Sequence, residues 1–202
     1  IQNLALIEGA ELVAICDQHS ASLETAQLVC RTSGVDNVSV YSEYQDMLAA
    51  ETLAAVIVAS PNHTHAAIAM ELLQTDLALL VEKPLCTTIQ DAKRVTDAAH
   101  ARSQLFWTGL EYRYMPPVAE FIQRVHAGDV GTLKMLSIRE HRFPFLKKIG
   151  DWNRFSRNTG GTLVEKCCHF FDLMRVIVQS EPVRIYASGA MDVNHKDERY
   201  NG

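Results

Sequence analysis

The sequence contains no GxGxxG stretch, no CxxC pair, no long apolar run and no cluster of basic residues. Its longest apolar stretches, residues 54–60 and 77–81, are far shorter than the roughly 20 residues that a membrane-spanning helix needs, so no membrane span is predicted. The 19 Lys and Arg residues are spread along a chain of net charge −5. This distribution excludes the basic patch that nucleic-acid binding requires.

Cysteine is also sparse, and the five cysteines are an odd number without paired spacing. This argues against a disulfide framework and for a reducing compartment. No basic segment leads into a hydrophobic stretch at the start, so no signal peptide is predicted and the expected location is cytoplasmic. Because the chain starts at Ile1 and stops abruptly at Gly202, we expect an interior fragment that lacks both natural ends.

The first half alternates short apolar runs with segments of helical character. The predicted strands lie at residues 12–16, 38–41, 54–59, 77–82 and 105–108. Capping boxes at Ser42-x-x-Gln45 and Thr88-x-x-Asp91 predict two helix starts. Continuous apolar strands that alternate with helices predict parallel βαβ units, buried on both faces. Residues 1–110 are therefore expected to form an α/β, Rossmann-type doubly wound parallel sheet whose first strand is missing.

The pattern changes after residue 110. A helix is predicted from Pro116 to about Ala127, strands at residues 133–139 and 183–188, and a long polar and aromatic loop at residues 143–158, in which Trp152 and Arg154 are candidates to face a ligand. Residues 111–202 are expected to form the start of an α+β domain with an open sheet.

One long helix is predicted from residue 160 to residue 178. An apolar stripe with helical spacing is expected to pack inward: Leu163, Cys167, Phe170, Met174 and Ile177. Glu165, His169 and Asp172 share a different face. That face is either simply solvated, or it holds His169 as a general acid/base whose pKa the neighbouring carboxylates raise.

Polar residues follow several of the predicted strands. Lys83, between Glu82 and Pro84, comes directly after an apolar run, at the edge where open α/β sheets bind ligands; the alternative is an ordinary surface lysine. The same edge carries Ser60, Asn62 and His65, and Asp17 follows an earlier strand. A zinc site at His63 and His65, or at residues 167–169, lacks ligands at defined spacing, and no metal is predicted.

Taken in order, these motifs resemble the glucose–fructose oxidoreductase/inositol dehydrogenase (Gfo/Idh/MocA) family along nearly the whole chain. The markers are Ala59-Ser60-Pro61-Asn62-x-x-His65, Glu82-Lys83-Pro84, Tyr112-Arg113-Tyr114, Gly128-Asp129-Val130-Gly131 and Gly160-Gly161-Thr162-Leu163-x-Glu165-x-x-x-His169-x-x-Asp172. Each motif is short, but the set in this order is highly specific.

The resemblance implies an oxidoreductase that transfers a hydride between NAD, with NADP possible, and a hydroxyl or keto carbon of a sugar, cyclitol or related polyol. It implies catalytic roles for Lys83 and His169, with Glu165 supporting the histidine where the family usually has Asp. It further implies two sets of ligand-binding residues: Asp17, Ser60, Asn62, His65, Glu82 and Lys83 for the cofactor, and Arg113 and Asp172 for the substrate. Members of this family are often oligomeric, so a homo-oligomer is expected.

Two other functions occur in the same family. NAD-dependent glycosidases oxidise a sugar transiently and reduce it again, and they would share Lys83 and the cofactor. Sugar-sensing regulators bind the dinucleotide without catalysis, but they tend to lose the lysine or the histidine, and Lys83 and His169 are both present here.

Overall fold

The computed structural model describes residues 1–141, 146 and 148–189. The strands are Ala14–Cys16 (β1), Ser39–Tyr41 (β2), Ala55–Val58 (β3), Ala78–Glu82 (β4) and Phe106–Gly109 (β5). The α-helices are Ser20–Thr32 (α1), Tyr44–Ala50 (α2), His65–Leu72 (α3), Ile89–His100 (α4), Pro116–His126 (α5), Ser156–Thr159 (α6), Thr162–Glu165 (α7) and Cys168–Val178 (α8). Short 3-10 helices lie at Leu4–Leu6, Asn62–Thr64, Glu111–Tyr114 and Ile149–Arg154. The five strands predicted from the apolar runs are confirmed.

The chain divides into two compact units, Ile1–Val56 and Ile57–Gly202, and the division falls inside β3. In the first unit β1 and β2 pair in parallel, with Ala14 opposite Ser39 and Cys16 opposite Tyr41. Helix α1 packs against β1, and α2 packs against both strands. This is the parallel α/β arrangement that the alternating pattern predicts.

The second unit contains a three-stranded sheet in the order β3, β4, β5. Strands β4 and β5 are parallel, with Glu82 opposite Gly109. Leu79 and Val81 of the central strand are almost fully buried, but Ile57 and Trp107 on the flanking strands are 49% and 43% exposed. The prediction that every strand is buried on both faces is therefore wrong for β3 and β5, because these two strands form the edges of this sheet.

A helical core follows the sheet in the same unit. It consists of Ile122 and Val125 from α5 with Leu173 and Ile177 from α8. Apolar side chains of residues 133–138 pack against this cluster. The strand predicted at residues 133–139 is nevertheless wrong, because in the described part of the chain its backbone has no ladder partner, without which an extended segment is not a strand.

The strand predicted at residues 183–188 is also wrong. This segment has no regular secondary structure, and Val183 and Tyr186 are almost completely exposed. Its β-branched and aromatic composition favours an extended backbone but does not supply the neighbouring strand that a sheet needs.

The loop predicted at residues 143–158 is partly helical. The 3-10 helix Ile149–Arg154 and helix α6 occupy most of its second half. Trp152 in this segment contacts the ring of His63 edge-on, with 6.3 Å between ring centroids. Residues 142–145 and 147 lie outside the described residues.

The long helix predicted at residues 160–178 is broken into α7 and α8. At the break Cys167 N donates to Thr162 O, five residues back, and His169 N donates to Lys166 O, three residues back. In a continuous helix the carbonyl of Glu165 would accept from His169 N. The break therefore releases the Glu165 carbonyl from helical hydrogen bonding, and such interruptions often occur at functional sites.

In the described segments, no helix combines the length and the apolar character that crossing a bilayer would need.

The two predicted capping boxes differ in the structure. Thr88 is the N-cap of α4, and its Oγ1 accepts a hydrogen bond from Asp91 N at 3.2 Å. Helix α2 instead begins after Glu43 without a side-chain cap, so the box at Ser42 and Gln45 is wrong. The helix starts one residue later than a cap at Ser42 would require, so Ser42 is not its N-cap residue.

This difference predicts unequal effects of two equivalent substitutions. Thr88→Ala should lower the free energy of unfolding by about 1 kcal/mol, because it leaves a helix-terminal amide without its acceptor. Ser42→Ala, the matched control, should change it by no more than about 0.5 kcal/mol. Urea denaturation of both variants measures the difference, and equal losses would contradict the capping geometry.

Candidate active site

Lys83 follows the last residue of β4, and its backbone is held by the neighbouring carboxylate. Glu82 Oε2 accepts a hydrogen bond from Lys83 N at 3.0 Å. A Cβ atom at Gly109 on β5 would lie 3.1 Å from this carboxylate, so the glycine leaves room for it. The Lys83–Pro84 peptide bond is cis. Glu82 thus acts on the orientation of the lysine backbone at the carboxyl end of the sheet.

The lysine side chain is anchored by the break between α7 and α8. Lys83 Nζ donates to the released carbonyl of Glu165 at 3.3 Å. A contact between residues that are 82 positions apart depends on both the strand end and the helix break. The geometry therefore brings Lys83 to the segment that carries Glu165 and His169.

The polar face of the broken helix is buried. Glu165, His169 and Asp172 are 8%, 1% and 8% exposed, whereas Leu163 of the predicted apolar stripe is 61% exposed. The inward-facing stripe is thus wrong at Leu163, and a merely solvated polar face is excluded. Burying ionisable groups is costly unless they are paired or neutral, so each of them requires a specific environment.

His169 lies in an environment that disfavours its protonated form. Burial, and then the nearby cations of Lys83 and Lys166, lower the pKa of His169 from 6.5 to about 4, against the opposite influence of Asp172 and Glu140. The prediction that neighbouring carboxylates raise this pKa therefore holds for Asp172, but the expected net direction is wrong. The sequence showed which carboxylates are one turn away, but it did not show the desolvation and the two cations that outweigh them.

The ring of His169 is buried, and one of its nitrogens has no hydrogen-bond partner. Nδ1 is buried without a hydrogen-bond partner, and Nε2 lies 3.9 Å from Glu111 Oε1. Neither nitrogen is bonded to Glu165, so the support expected from that carboxylate is not a direct contact in this structure. Tyr112 stacks on the imidazole instead, with ring centroids 4.0 Å apart and planes at 6°.

Arg113 and Asp172 bind each other. Arg113 Nε donates to Asp172 Oδ2 at 2.9 Å, and Nη2 donates to Oδ1. The hydrogen bonds to Asp172 raise the pKa of Arg113 further. This bidentate pair ties the segment after β5 to α8, close to the stacked Tyr112 and His169 rings.

The segment after β3 is held by His65. This histidine is fully buried, with Nδ1 2.8 Å from Pro84 O and Nε2 2.9 Å from Ser60 O. It therefore connects the chain after β3 to the chain after Lys83. Ser60 Oγ bonds the hydroxyl of Thr64 at 2.6 Å, and Nδ2 of the buried Asn62 has no partner.

Asp17 lies in the first unit, immediately after β1. Its Oδ1 accepts a hydrogen bond from His19 N at 2.8 Å, which closes a turn at the carboxyl end of the strand. This is the position at which Rossmann-type domains carry the acidic residue that binds the adenosine ribose.

Neither of the suspected zinc motifs forms a cluster of ligands. In residues 1–141, 146 and 148–189, no group of three or more His, Cys, Asp or Glu side chains could hold a metal ion. Both ring nitrogens of His65 already face carbonyl oxygens. Burial raises the pKa of the Cys167 and Cys168 thiols, which disfavours the thiolate that zinc binding needs.

Sequence reasoning missed several residues around His169. Tyr112 was visible only as part of a motif, and Lys166 only as the neighbour of Glu165. Glu111 and Glu140 gave no signal at all, because their positions depend on the packing of distant segments. Helical spacing could have indicated Lys166, which precedes His169 by three residues.

The residues present fit a dinucleotide cofactor. Asn62 offers a buried amide donor without a partner after one strand, and Lys83 a cation after the next. Strand ends of a parallel sheet are the general ligand-binding edge of α/β proteins, and nicotinamide dinucleotides are bound there.

Comparison with known proteins shows the family of the chain. Residues 2–110 match the model of an oxidoreductase family with an NAD-binding Rossmann fold, and residues 122–201 match its C-terminal alpha/beta domain. The chain belongs to the Gfo/Idh/MocA oxidoreductase family. The match to an NAD-binding Rossmann domain confirms the α/β fold class and the prediction of a nicotinamide dinucleotide cofactor.

Several of the relatives are named inositol dehydrogenases. Inositol 2-dehydrogenase 1 from Saccharopolyspora erythraea is 27% identical over 180 residues, 89% of this chain and 50% of that protein. The crystal structure of myo-inositol 2-dehydrogenase from Lactobacillus plantarum superposes with a TM-score of 0.72 at 22% identity, covering 90% and 52% of the two chains. For myo-inositol dehydrogenase from Lactobacillus casei in complex with NAD(H) and myo-inositol, the TM-score is 0.64 at 22% identity, covering 88% and 49%. The chain thus spans about half the length of these relatives.

The lowered pKa of His169 predicts how stability depends on pH. The unfolded chain takes up a proton on this histidine as the pH falls through 6.5, but the folded protein does so only near 4. The resulting stability is complete above pH 6.5 and is lost as the pH falls toward 4. In urea denaturation across this range, His169→Gln should remove about 1–3 kcal/mol of the acid-induced loss. Parallel curves for the two proteins would contradict the burial cost.

Proposed function

We propose that this chain carries the catalytic residues of an NAD-dependent dehydrogenase that oxidises a hydroxyl group of a sugar, cyclitol or related polyol. The observation that supports this most is the buried His169, whose pKa is lowered, on the helix segment that also anchors Lys83. The names of the inositol dehydrogenase relatives favour a polyol substrate. Assembly into a homo-oligomer and a cytoplasmic location stay predictions from the sequence.

In this proposal His169 is the general base. Because its pKa is lowered to about 4, the imidazole is neutral at ordinary pH and can accept the proton of the substrate hydroxyl. A base must have a free lone pair within reach of that proton. Nδ1 has no hydrogen-bond partner, so its lone pair is the candidate proton acceptor.

Lys83 is proposed to stabilise the substrate oxygen. As the proton leaves the hydroxyl, negative charge grows on that oxygen, and a cation held in a fixed position lowers the energy of this state. The carbonyl of Glu165 fixes the ammonium group through one hydrogen bond, and an ammonium has two further protons to donate. A bound NAD would supply the acceptor for the hydride of the carbon that carries this hydroxyl, while the protein supplies placement and charge.

The remaining predicted residues take supporting parts in this proposal. Glu165 positions Lys83 through its carbonyl, and Glu82 does so through the backbone amide. Arg113 and Asp172, bound to each other, shape the substrate side next to His169. Ser60, Asn62 and His65 form the cofactor side, where Asn62 has an amide group to offer.

The direct test is an assay of the complete protein with NAD and a panel of cyclitols and sugars, following the formation of NADH. Stoichiometric NADH and a keto product are expected for at least one member. Cleavage of a glycoside without net NADH, or binding without turnover, would contradict the dehydrogenase proposal.

Substitution of the two central residues should affect chemistry more than binding. Lys83→Met and His169→Ala should each lower kcat roughly 100- to 10,000-fold, the usual effect of losing a positioned acid/base or charge. The affinity for NAD should change little. Matched controls are Lys93→Met and His100→Ala, both on the exposed surface of α4, which should retain turnover. A near-normal kcat in His169→Ala would contradict the role of His169 as the general base.

Asp17 should set the preference for NAD over NADP. Its carboxylate is expected to accept hydrogen bonds from the ribose hydroxyls and to repel a 2′-phosphate. Asp17→Asn, which removes the charge, should shift the ratio of kcat/KM for the two cofactors toward NADP by roughly tenfold. Asp36→Asn, also in the first unit but exposed, is the control. An unchanged ratio in Asp17→Asn would show that another residue selects the cofactor.

A further inference from the structure

Lys166 is a buried cation beside His169 that the proposed mechanism does not use. It is 4% exposed, although a lysine is rarely buried unless it is paired. Its Nζ donates to the hydroxyl of Tyr112 and lies 3.2 Å from Glu140 Oε1. It also lies over the rings of Tyr112 and Phe170, at 4.5 Å and 5.5 Å from their centroids. Each of these contacts compensates part of the cost of burying the charge.

Tyr112 connects this cation to the histidine. Its ring is parallel to the imidazole of His169 at 4.0 Å, while its hydroxyl receives the hydrogen bond from Lys166. The lysine therefore fixes the far end of the ring that covers His169. A stacked ring without such a fixed end would be free to tilt, and the imidazole would be held less firmly.

Lys166 lies at the break between α7 and α8. It is the C-cap residue of α7, with φ −111° and ψ −48°. In the predicted continuous helix it would take its place on the cylinder three residues before His169. The interruption that releases the Glu165 carbonyl for Lys83 thus lies at Lys166 itself.

The charges around His169 come from several elements. Lys83 follows β4, Lys166 lies at the helix break, and both disfavour protonation of the ring. Asp172 on α8 and Glu140 favour protonation of the ring. Glu111, in the 3-10 helix after β5, lies 3.9 Å from Nε2. Asp172 is bound to Arg113 and Glu140 contacts Lys166, so both carboxylates are partly offset by a cation.

We propose that Lys166 is a positioning residue of the acid–base centre, which holds Tyr112 flat against His169 and whose charge keeps the imidazole in its neutral, proton-accepting form. Glu140 moderates this effect by pairing with the same ammonium. The catalytic consequence rests on the proposed dehydrogenase function, but the effect on the titration of His169 does not.

The decisive experiment measures that titration directly, by NMR of the complete protein labelled at its histidine rings. The spectrum of His169→Gln identifies the signal of His169. In Lys166→Met the midpoint should rise by about one pH unit, because a nearby positive charge has been removed. Lys166→Arg, which keeps the charge, should leave the midpoint within about half of that change. A midpoint that is the same in Lys166→Met and in the unmodified protein would overturn the proposal.

A second variant covers the case in which Lys166→Met does not fold. The Glu140 side chain is partly exposed, so Glu140→Gln should be tolerated. Because Glu140 favours protonation of His169, its neutralisation should hold the midpoint at or below that of the unmodified protein. A rise of the midpoint in Glu140→Gln would overturn the proposal by itself.

Activity supplies an independent readout once a substrate is known. Lys166→Met should lower kcat several-fold and shift the acid limb of kcat/KM upward, with the KM for NAD little changed. Lys166→Arg should restore most of kcat. Loss of kcat without any shift of the acid limb would contradict the electrostatic part of the proposal. Absence of dehydrogenase activity in the unmodified protein would reject the proposed function, while the NMR result would still decide the role of Lys166.

Discussion

Burying an imidazole costs little while it is neutral and much when it is protonated, and this asymmetry governs the candidate site. His169 is 1% exposed and stacked against Tyr112. Two lysines lie close enough to oppose its protonation. Other features surround this ring. The helix break releases the carbonyl that holds Lys83, and the Arg113–Asp172 pair ties α8 to the segment after β5. In the proposed mechanism this ring is the proton acceptor, and it is neutral before any substrate arrives.

A second constraint keeps the strand ends together. His65 joins Ser60 after β3 to Pro84 after β4 through its two ring nitrogens. The lysine backbone is further fixed by Glu82, whose carboxylate lies so close to Gly109 that a Cβ atom there would be only 3.1 Å away. Rigid placement of this kind matters because a cation stabilises a developing charge only if it does not have to move during the reaction.

The sequence predicted what depends on local pattern. The five strands follow from apolar runs with clear ends, and Lys83 was expected at a strand end because Pro84 follows it. The spacing of Glu165, His169 and Asp172 put them on one helix face. The break at Lys166 was not predictable, because residues 162–178 carry helical periodicity throughout. The lowered pKa of His169 was not predictable either, since it arises from burial and from Lys83, which is distant in sequence. Residues 133–139 and 183–188 have strand composition, but a strand also needs a partner.

The pH dependence of kcat/KM for oxidation of a confirmed polyol substrate tests the central claim most directly, because it reports the ionisation of the free enzyme. If His169 is the buried base, its protonation should limit the rate only far below the ordinary histidine value of 6.5, near pH 4. The rate should therefore be independent of this histidine from neutral pH down to about pH 5. An acid limb at or above pH 6.5 would contradict the account, because it would mean that the base is not a histidine buried beside two cations.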